Sequence, residues 1–280
     1  MNYCSPNKQF DKENNTCFDL SDLVAIAKAF NKWRKNICIS GNVCIKQDDF
    51  KKIDTTLSKT DLYKEIKDRL GSLCSTENCW LDLDFMKNIE PGIRDLVMFF
   101  TFKPKNLKSP RIWFNTNNIN EIMQQYQLLF NNTYGSNYYK FLGSQPSDIS
   151  RVQKFNWNEL KTKYTFLSII FNNDTHRQKG SHWNACFIDN KHKTVECFDS
   201  LGKLPNKHIQ EFLQNFKEYT FQFNEIPYQK VGTVNCGVYA VWFTIQKLKG
   251  KTFNEIQNTH ISDKFIANFR QDDIFRPAQN

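Results

Sequence analysis

The segment GSHWNACFIDNKHKTVECFDSLG, residues 180–202, determines the fold of the second half of this chain. Two runs of alternating apolar and polar residues, HWNACFID and TVECFDSL, flank a polar stretch from Asn190 to Lys193. Such alternation on both sides of a short polar turn predicts an antiparallel β-hairpin. A turn centred on these residues pairs positions whose numbers sum to about 383, and this sum fixes which side chains share a face.

His182 begins one predicted strand, and Asp199 lies near the end of the other. In this register His182 lies opposite Leu201, so Asp199 is its diagonal neighbour on the same face, about 7–8 Å away at the backbone. Asp189 and Glu196 are offset by odd numbers of residues and face the opposite side. An imidazole oriented by a carboxylate is the base half of a nucleophilic site. The alternative is a surface contact between His182 and Asp199 that has no function.

The segment QKVGTVNCGVYAVWFTIQKL, residues 229–248, supplies a candidate nucleophile. Cys236 ends a Gly-containing loop and directly precedes an apolar run with helical periodicity. Free N–H groups and partial positive charge at a helix N terminus stabilise a thiolate, and Gly237 leaves space for a substrate. Cys186 and Cys197 fall inside the hairpin strands and are predicted to be small core residues.

The composition is that of a folded protein of one large or two modest domains. The chain has 280 residues, of which 40% are hydrophobic and 15% aromatic. Its first 17 residues contain no apolar signal-like stretch, and no run approaches the roughly 20 apolar residues that span a bilayer. We therefore expect a soluble, intracellular protein that is not secreted. The nine Cys are scattered without a framework, so we expect no disulfides.

Two further features suggest ligands. Cys74 and Cys79, with Cys38 and Cys44, form a candidate metal site, but their spacings match no usual zinc pattern and we expect no metal. The net charge is +9. Its strongest local concentration is FKPKNLKSPR, which carries Lys103, Lys105, Lys108 and Arg111. Such a basic segment attracts polyanions, so DNA binding is a hypothesis; the alternative is a solvated loop of a generally basic protein.

The order of predicted elements divides the chain into a helical arm, residues 1–95, and an α+β domain, residues 96–280. The arm carries helices at SDLVAIAKAFNKW, with Asp19 or Ser21 as N-cap, and at KTDLYKEIKDRL, and a third piece at DLDFMKNI. The second domain carries strands at YYKFLG, KYTFLSIIF, the hairpin and YTFQFNEI. Its predicted helices are NTNNINEIMQQYQLLF, KHIQEFLQNF, CGVYAVWFTIQKL and SDKFIANFRQDD.

The motif HW, followed by FDSLG and then by a Gln ahead of CG, resembles the ubiquitin-like-protein protease superfamily. That group includes the SUMO proteases, the adenovirus protease adenain and the polyprotein-processing proteases of large DNA viruses such as African swine fever virus. The resemblance covers roughly residues 110–276 and includes IWFNTNNINEIMQQY and KFLGSQPSDI. The C-terminal FRQDDIFRP is similar to the end of the swine fever virus enzyme. HW and CG alone are weak signals, but in this order and spacing they are strong.

The resemblance implies a papain-like or adenain-like cysteine protease core, a central mixed β-sheet flanked by helices, with an N-terminal helical arm. His182, Asp199 and Cys236 fall on the catalytic positions of the family. Gln229 falls on its oxyanion-hole glutamine; it precedes the Cys by seven residues, as in adenain and one more than is usual in SUMO proteases. Trp183 falls on the tryptophan that covers a narrow groove admitting Gly-Gly.

The implied function is that of a cysteine endopeptidase, expected to be a viral maturation protease that cleaves structural polyproteins after Gly in Gly-Gly-X-like sites. The alternative is a protease that removes SUMO or other ubiquitin-like modifiers. A degenerate, non-enzymatic binder of ubiquitin-like tails or DNA is disfavoured because all catalytic positions are filled. Such an enzyme forms an acyl-enzyme intermediate, and hydrolysis of that intermediate needs only water, so we expect no cofactor. The expected location is the virion and the viral factory in the host cytoplasm.

Overall fold

The structure, a computed structural model, describes residues 3–33, 38–39, 43–44, 51–71, 73–107, 109, 111–259 and 261–276, with backbone only at 38–39 and 43–44. The chain forms two compact units, Asn2–Lys103 and Pro104–Asn280. The expected boundary after residue 95 falls inside a helix that continues to Phe100. The functional division into a helical arm and a catalytic domain stays a prediction.

The first unit is mainly helical, as the sequence predicts. The carboxylate of Asp19 accepts a hydrogen bond from the backbone N–H of Asp22 at 2.9 Å, so Asp19 is the N-cap of the first helix. The predicted piece at DLDFMKNI forms a 3-10 turn, Asp84–Asn88. The helices are α1 (Leu20–Trp33), α2 (Lys59–Leu70), α3 (Glu77–Trp80) and α4 (Pro91–Phe100), and a minimal antiparallel pair of strands is formed by β1 (Cys38–Ile39) and β2 (Val43–Cys44).

The second unit is a mixed α+β structure. Its strands are β3 (Tyr139–Pro146), β4 (Phe166–Asn172), β5 (Trp183–Asp189), β6 (Thr194–Phe198) and β7 (Thr220–Phe223). Its helices are α5 (Thr116–Tyr134), α6 (Ile149–Val152), α7 (Trp157–Lys163), α8 (Lys207–Leu213), α9 (Cys236–Leu248), α10 (Phe253–Gln257) and α11 (Asp263–Phe269). A 3-10 turn at Gln214–Phe216 extends α8, and a π-helical segment at Arg270–Ile274 extends α11. In the described part of the chain, no helix has the length and apolar character needed to cross a membrane.

The five strands of this unit form one sheet in the order β3-β4-β5-β6-β7. The two outer pairs, β3 with β4 and β6 with β7, are parallel, and the pairs β4 with β5 and β5 with β6 are antiparallel. In the hairpin, Ala185 pairs with Phe198 and Asp189 pairs with Thr194, so the residue numbers of each pair sum to 383 as predicted. The α+β fold with a mixed sheet flanked by helices is confirmed.

Both faces of the central strand β5 are covered, which explains why this strand is almost entirely apolar. Ala185 and Phe187 pack in one cluster with α5 and α9, and Cys186 and Ile188 pack in another with α8. Helix α9 is buried along its whole length except at Gln246 and Lys247. This burial anchors α9 against the sheet and thereby fixes the position of its first residue, Cys236.

The expectation that the cysteines form no disulfides is wrong. The structure pairs Cys4 with Cys17, Cys74 with Cys79, and Cys186 with Cys197. Cys186 and Cys197 are buried, as expected of core residues, and they are directly opposite one another in the hairpin, with Cα atoms 4.1 Å apart. The side chains of Cys38 and Cys44, which belonged to the candidate metal site, lie outside the described residues.

Candidate active site

The candidate site lies where β5 begins, β6 ends and α9 begins. His182 directly precedes β5, and Asp199 directly follows β6. Nε2 of the His182 imidazole is hydrogen-bonded to Oδ1 of Asp199 at 2.7 Å. The two residues are only 9% and 5% exposed, respectively. The predicted contact between His182 and Asp199 is confirmed.

Asp189 and Glu196, which the alternation of the strands places on the opposite face of the hairpin, do not contact His182. Glu196 forms a buried ion pair with Lys247 of α9, with its carboxylate oxygen 2.6 Å from Nζ. Asp189 accepts hydrogen bonds from the backbone N–H groups of Lys191 and His192 in the hairpin turn and is 2.7 Å from Nδ1 of His192. The parity prediction is therefore confirmed for both acids.

Asp199 is held in place by contacts that the sequence did not predict. The side-chain amide of Asn224, which directly follows β7, accepts a hydrogen bond from the backbone N–H of Asp199 and donates one to its carbonyl, each at 2.7 Å. Oδ1 of Asp199 also accepts a hydrogen bond from the backbone N–H of Leu201 at 2.7 Å. Oδ1 of Asp199 thus binds both His182 and the backbone N–H of Leu201, while Asn224 holds the main chain of Asp199.

Cys236 is the first residue of α9 and is 2% exposed. Among the described cysteine side chains it is the one that remains a free thiol. The N–H groups of the first helical turn have no partner within the helix, and the helix dipole places partial positive charge beside its sulfur.

His182 interacts with both Asp199 and Cys236. Burial by itself would lower the pKa of the His182 imidazole. The hydrogen bonds to Asp199 and Cys236, and the negative charges of these two groups, outweigh the effect of burial and raise the pKa to about 9. The imidazole of His182 therefore keeps its proton at neutral pH.

Gln229 lies on a turn that leads to α9 and is 7% exposed. Its Nε2 donates a hydrogen bond to the carbonyl of Thr233 at 2.8 Å, and its Oε1 accepts one from Oγ of Ser200 at 2.7 Å. Ser200 is the residue directly after Asp199. The side-chain amide of Gln229 is thus tied to the same short segment that carries the partner of His182.

Trp183 is buried to 6% exposure, and its Nε1 donates a hydrogen bond to the carbonyl of Phe114 at 2.7 Å. Both aromatic residues approach the start of α9 closely. A Cβ atom added to Gly237 would lie 2.8 Å from Cβ of Phe114 and 3.2 Å from Cδ1 of Trp183. Trp183 therefore packs into the core and also lies directly beside Gly237, the residue after Cys236.

A cavity of about 550 Å³ opens beside Trp183. Its lining includes the aromatic residues Trp113, Phe114 and Trp183, the end of β3, and the loop between β4 and β5. Trp183 therefore both lines this cavity and approaches Gly237, the residue after Cys236.

The family model described as "Ulp1 protease family, C-terminal catalytic domain" matches residues 127–274. The chain belongs to this family. It is therefore a cysteine protease of the Ulp1 family. This protease is 33% identical over 287 residues to "Putative thiol protease R355" of Acanthamoeba polyphaga mimivirus, a match that covers 96% of this chain and 92% of the relative.

The fold of this Ulp1-family protease is similar to two crystal structures of the pS273R protease of African swine fever virus. One, a selenomethionine form, has a TM-score of 0.60 at 16% identity and covers 98% of this chain and 97% of the viral protein. The other has a TM-score of 0.56 at 15% identity and covers 99% and 96%. The resemblance in fold extends beyond the segment that the family model matches.

Proposed function

We propose that this Ulp1-family protease cleaves peptide bonds with His182, Asp199 and Cys236 as its catalytic triad. The observation that carries the proposal is the environment of His182, which is hydrogen-bonded to Asp199 through Nε2 and interacts with the thiol of Cys236. A base oriented by an acid and in contact with a free cysteine at a helix N terminus is the arrangement that nucleophilic catalysis needs.

In the proposed reaction, His182 holds the proton of Cys236 and the thiolate attacks the carbonyl carbon of the substrate. The C–N bond then breaks as the imidazolium gives its proton to the leaving amine. Water attacks the resulting thioester with His182 as general base, which releases the carboxylic acid and restores the thiolate. Asp199 orients the imidazole and stabilises its positive charge. The Gln229 amide and the backbone N–H of Cys236 would bind the oxyanion, and removing such a donor typically costs about 10²–10³ in rate.

Phe114 and Trp183 form an aromatic wall beside Gly237, the residue after Cys236, and a wall of this kind beside the nucleophile favours glycine on the acyl side of the cut. A substrate that lies between this aromatic wall and Cys236 has little room for side chains, and Gly alone lacks a Cβ. We propose cleavage after Gly in Gly-Gly-X-like sites, with tolerance at the residue after the cut. Substitution of Trp183 by Ala should relax the demand and slow cleavage, whereas a purely structural Trp would lower stability alone.

The natural substrates that we propose are structural polyproteins of a virus, processed in the viral factory or in the virion. The mimivirus relative and the similarity to the swine fever virus protease over nearly the whole chain support a viral setting. Removal of SUMO or another ubiquitin-like modifier uses the same triad and is the alternative outcome of the test below.

The test compares hydrolysis of short Gly-Gly-X peptides with cleavage of folded SUMO and ubiquitin fused to a reporter. We expect efficient cleavage of the peptides and no large advantage for the folded fusions. A strong preference for one folded modifier would contradict the proposed maturation function and would favour the alternative, removal of that modifier. Cys236→Ala and His182→Ala should each abolish hydrolysis with circular dichroism unchanged; activity near that of the parent in either variant would refute the triad.

A further inference from the structure

Ser200 is almost completely buried, at 1% exposure, and it is hydrogen-bonded to the neighbouring segment that carries Gln229. Its carbonyl accepts hydrogen bonds from the backbone N–H groups of Tyr228 and Gln229, at 2.8 and 2.9 Å. Its hydroxyl donates to Oε1 of Gln229 at 2.7 Å. The residue after Asp199 thus holds both the main chain and the side chain of Gln229.

The two contacts of the Gln229 amide have opposite polarity. The carbonyl of Thr233 can only accept, so it binds Nε2, at 2.8 Å, and not Oε1. The hydroxyl of Ser200 then serves as the donor to Oε1. Together they fix the amide in one of its two orientations. Within the described part of the chain, the second N–H of this amide has no hydrogen-bond partner, so it is available to a substrate oxygen.

The hydroxyl of Ser200 has two physical effects on that N–H group. It removes rotational freedom from a buried amide, and it polarises the amide, because a carbonyl oxygen that accepts a hydrogen bond makes the attached N–H groups better donors. Both effects act before the substrate arrives, which is the condition under which an oxyanion donor is most effective.

We propose that Ser200 is a positioning residue for the oxyanion hole and acts through Gln229. This inference rests on the proposed function, in which Gln229 donates to the oxyanion. It means that two adjacent residues serve the two halves of the reaction: Asp199 orients the base, and Ser200 orients the group that stabilises the developing charge.

The test is a double-mutant cycle of Ser200→Ala and Gln229→Ala on hydrolysis of a Gly-Gly-X peptide. Loss of the hydrogen bond that orients Gln229 should lower the rate less than loss of the Gln229 donor itself. We therefore expect Ser200→Ala to lower kcat by about 10-fold to 50-fold with KM little changed. In the Gln229→Ala background, Ser200→Ala should change kcat less than twofold. An equal loss in both backgrounds, or parent-like activity of Ser200→Ala, would overturn the inference.

A second measurement keeps the test decisive if Ser200→Ala is unstable. Alkylation of Cys236 by chloroacetamide forms no oxyanion, so its rate in Ser200→Ala and in Ser200→Gly, which both lack the hydroxyl and add no second thiol, should stay near that of the parent while hydrolysis falls. A parallel loss of alkylation would mean that Ser200 acts through Asp199 instead, and would refute the proposal.

The matched control is Ser168→Ala, which removes another buried serine hydroxyl, one that is hydrogen-bonded to the Tyr139 hydroxyl at 2.5 Å in β4, away from Cys236. It should lower the melting temperature without lowering kcat. If Gln229→Ala itself keeps parent-like kcat, the oxyanion assignment of the proposed function fails. If Gln229→Ala is slow and Ser200→Ala is not, only the inference about Ser200 fails.

Discussion

At the residue scale, the proton of His182 offers a direct test of the site. Because Asp199 and Cys236 raise the pKa of this imidazole to about 9, the protonated form persists at neutral pH and is lost as the pH rises through that value. We expect kcat/KM for a Gly-Gly-X peptide to fall on the alkaline side above about pH 9. In Asp199→Asn the imidazolium loses its anionic partner, so its pKa falls and the alkaline limb moves to lower pH.

The matched control for this pH profile is Asp189→Asn, because Asp189 binds only the hairpin turn and faces away from His182. Its profile should superimpose on that of the parent. An alkaline limb that stays in place in Asp199→Asn would show that Asp199 does not set the pKa of His182. A larger loss of activity in Asp189→Asn than in Asp199→Asn would contradict the proposed roles of the two acids.

Gly237 gives a second prediction at this scale. A Cβ there would lie 2.8 Å from Cβ of Phe114, a separation that core atoms do not tolerate, so Gly237→Ala must displace the Phe114 backbone or the start of α9. We expect the free energy of unfolding to fall by about 1–3 kcal/mol, as for other overpacked sites, and peptide hydrolysis to fall with it. Urea denaturation and peptide hydrolysis measure the two effects.

The control is Gly92→Ala in α4, where an added Cβ meets no atom within 4 Å. There the better helix propensity of Ala should leave stability unchanged or raise it. Equal stability of Gly237→Ala and the parent would mean that Phe114 and Trp183 are not packed as tightly as the geometry indicates.

Local pattern predicted the site residues that lie in one hairpin and missed those that act across strands. The hairpin register placed His182 beside Asp199. The same register places Cys186 opposite Cys197, where they form a disulfide. The expectation of free thiols was wrong because it was based on the spacing of the cysteines along the chain and not on this register. Asn224 reaches Asp199 only because β6 and β7 run in parallel. Parallel pairing joins segments that are distant in sequence, so no local periodicity reveals its register.

At the scale of elements, helix α5 provides hydrogen-bond partners for the backbone of strand β3. β3 is an edge strand, and such a strand exposes unpaired N–H groups. Three side-chain amides on one side of α5 take the place of a neighbouring strand. They accept hydrogen bonds from the backbone N–H groups of Ser144, Phe141 and Tyr139 at 2.8–2.9 Å, and they belong to Asn120, Gln127 and Asn131. This explains why the predicted helix is so rich in Asn and Gln.

Substitution of Asn131 tests this role. Its side-chain amide accepts a hydrogen bond from the backbone N–H of Tyr139 and donates one to the carbonyl of the same residue at 3.0 Å. Asn131→Ala leaves both groups of a fully buried residue without partners, so we expect a loss of about 1–3 kcal/mol in the free energy of unfolding. The control is Asn132→Ala on the exposed side of α5, which should be neutral. Similar denaturation midpoints for the two variants would contradict the role of Asn131.

At the scale of the whole molecule, the two units have separate hydrophobic cores. The first core is formed by α1, α2, α3 and the segments before, between and after them, and the cores of the second unit lie on the two faces of its sheet. The segment that the family model matches lies entirely within the second unit, as do the residues of the proposed triad. The family match therefore concerns the second unit alone.

The net charge of +9 motivates the last prediction, that DNA binds this protein through the basic segment 102–111. Lys105 and Arg111 are exposed, and Lys108 lies outside the described residues. Binding to a short duplex should weaken steeply with salt. A plot of the logarithm of the association constant against the logarithm of the salt concentration should have a slope of about −0.9 for each phosphate contact. Lys105→Gln with Arg111→Gln should reduce that slope, whereas Lys28→Gln with Lys64→Gln removes the same charge from exposed sites on α1 and α2 and should not. Absence of binding at low salt, or equal slopes for the two double variants, would contradict a DNA contact at this segment.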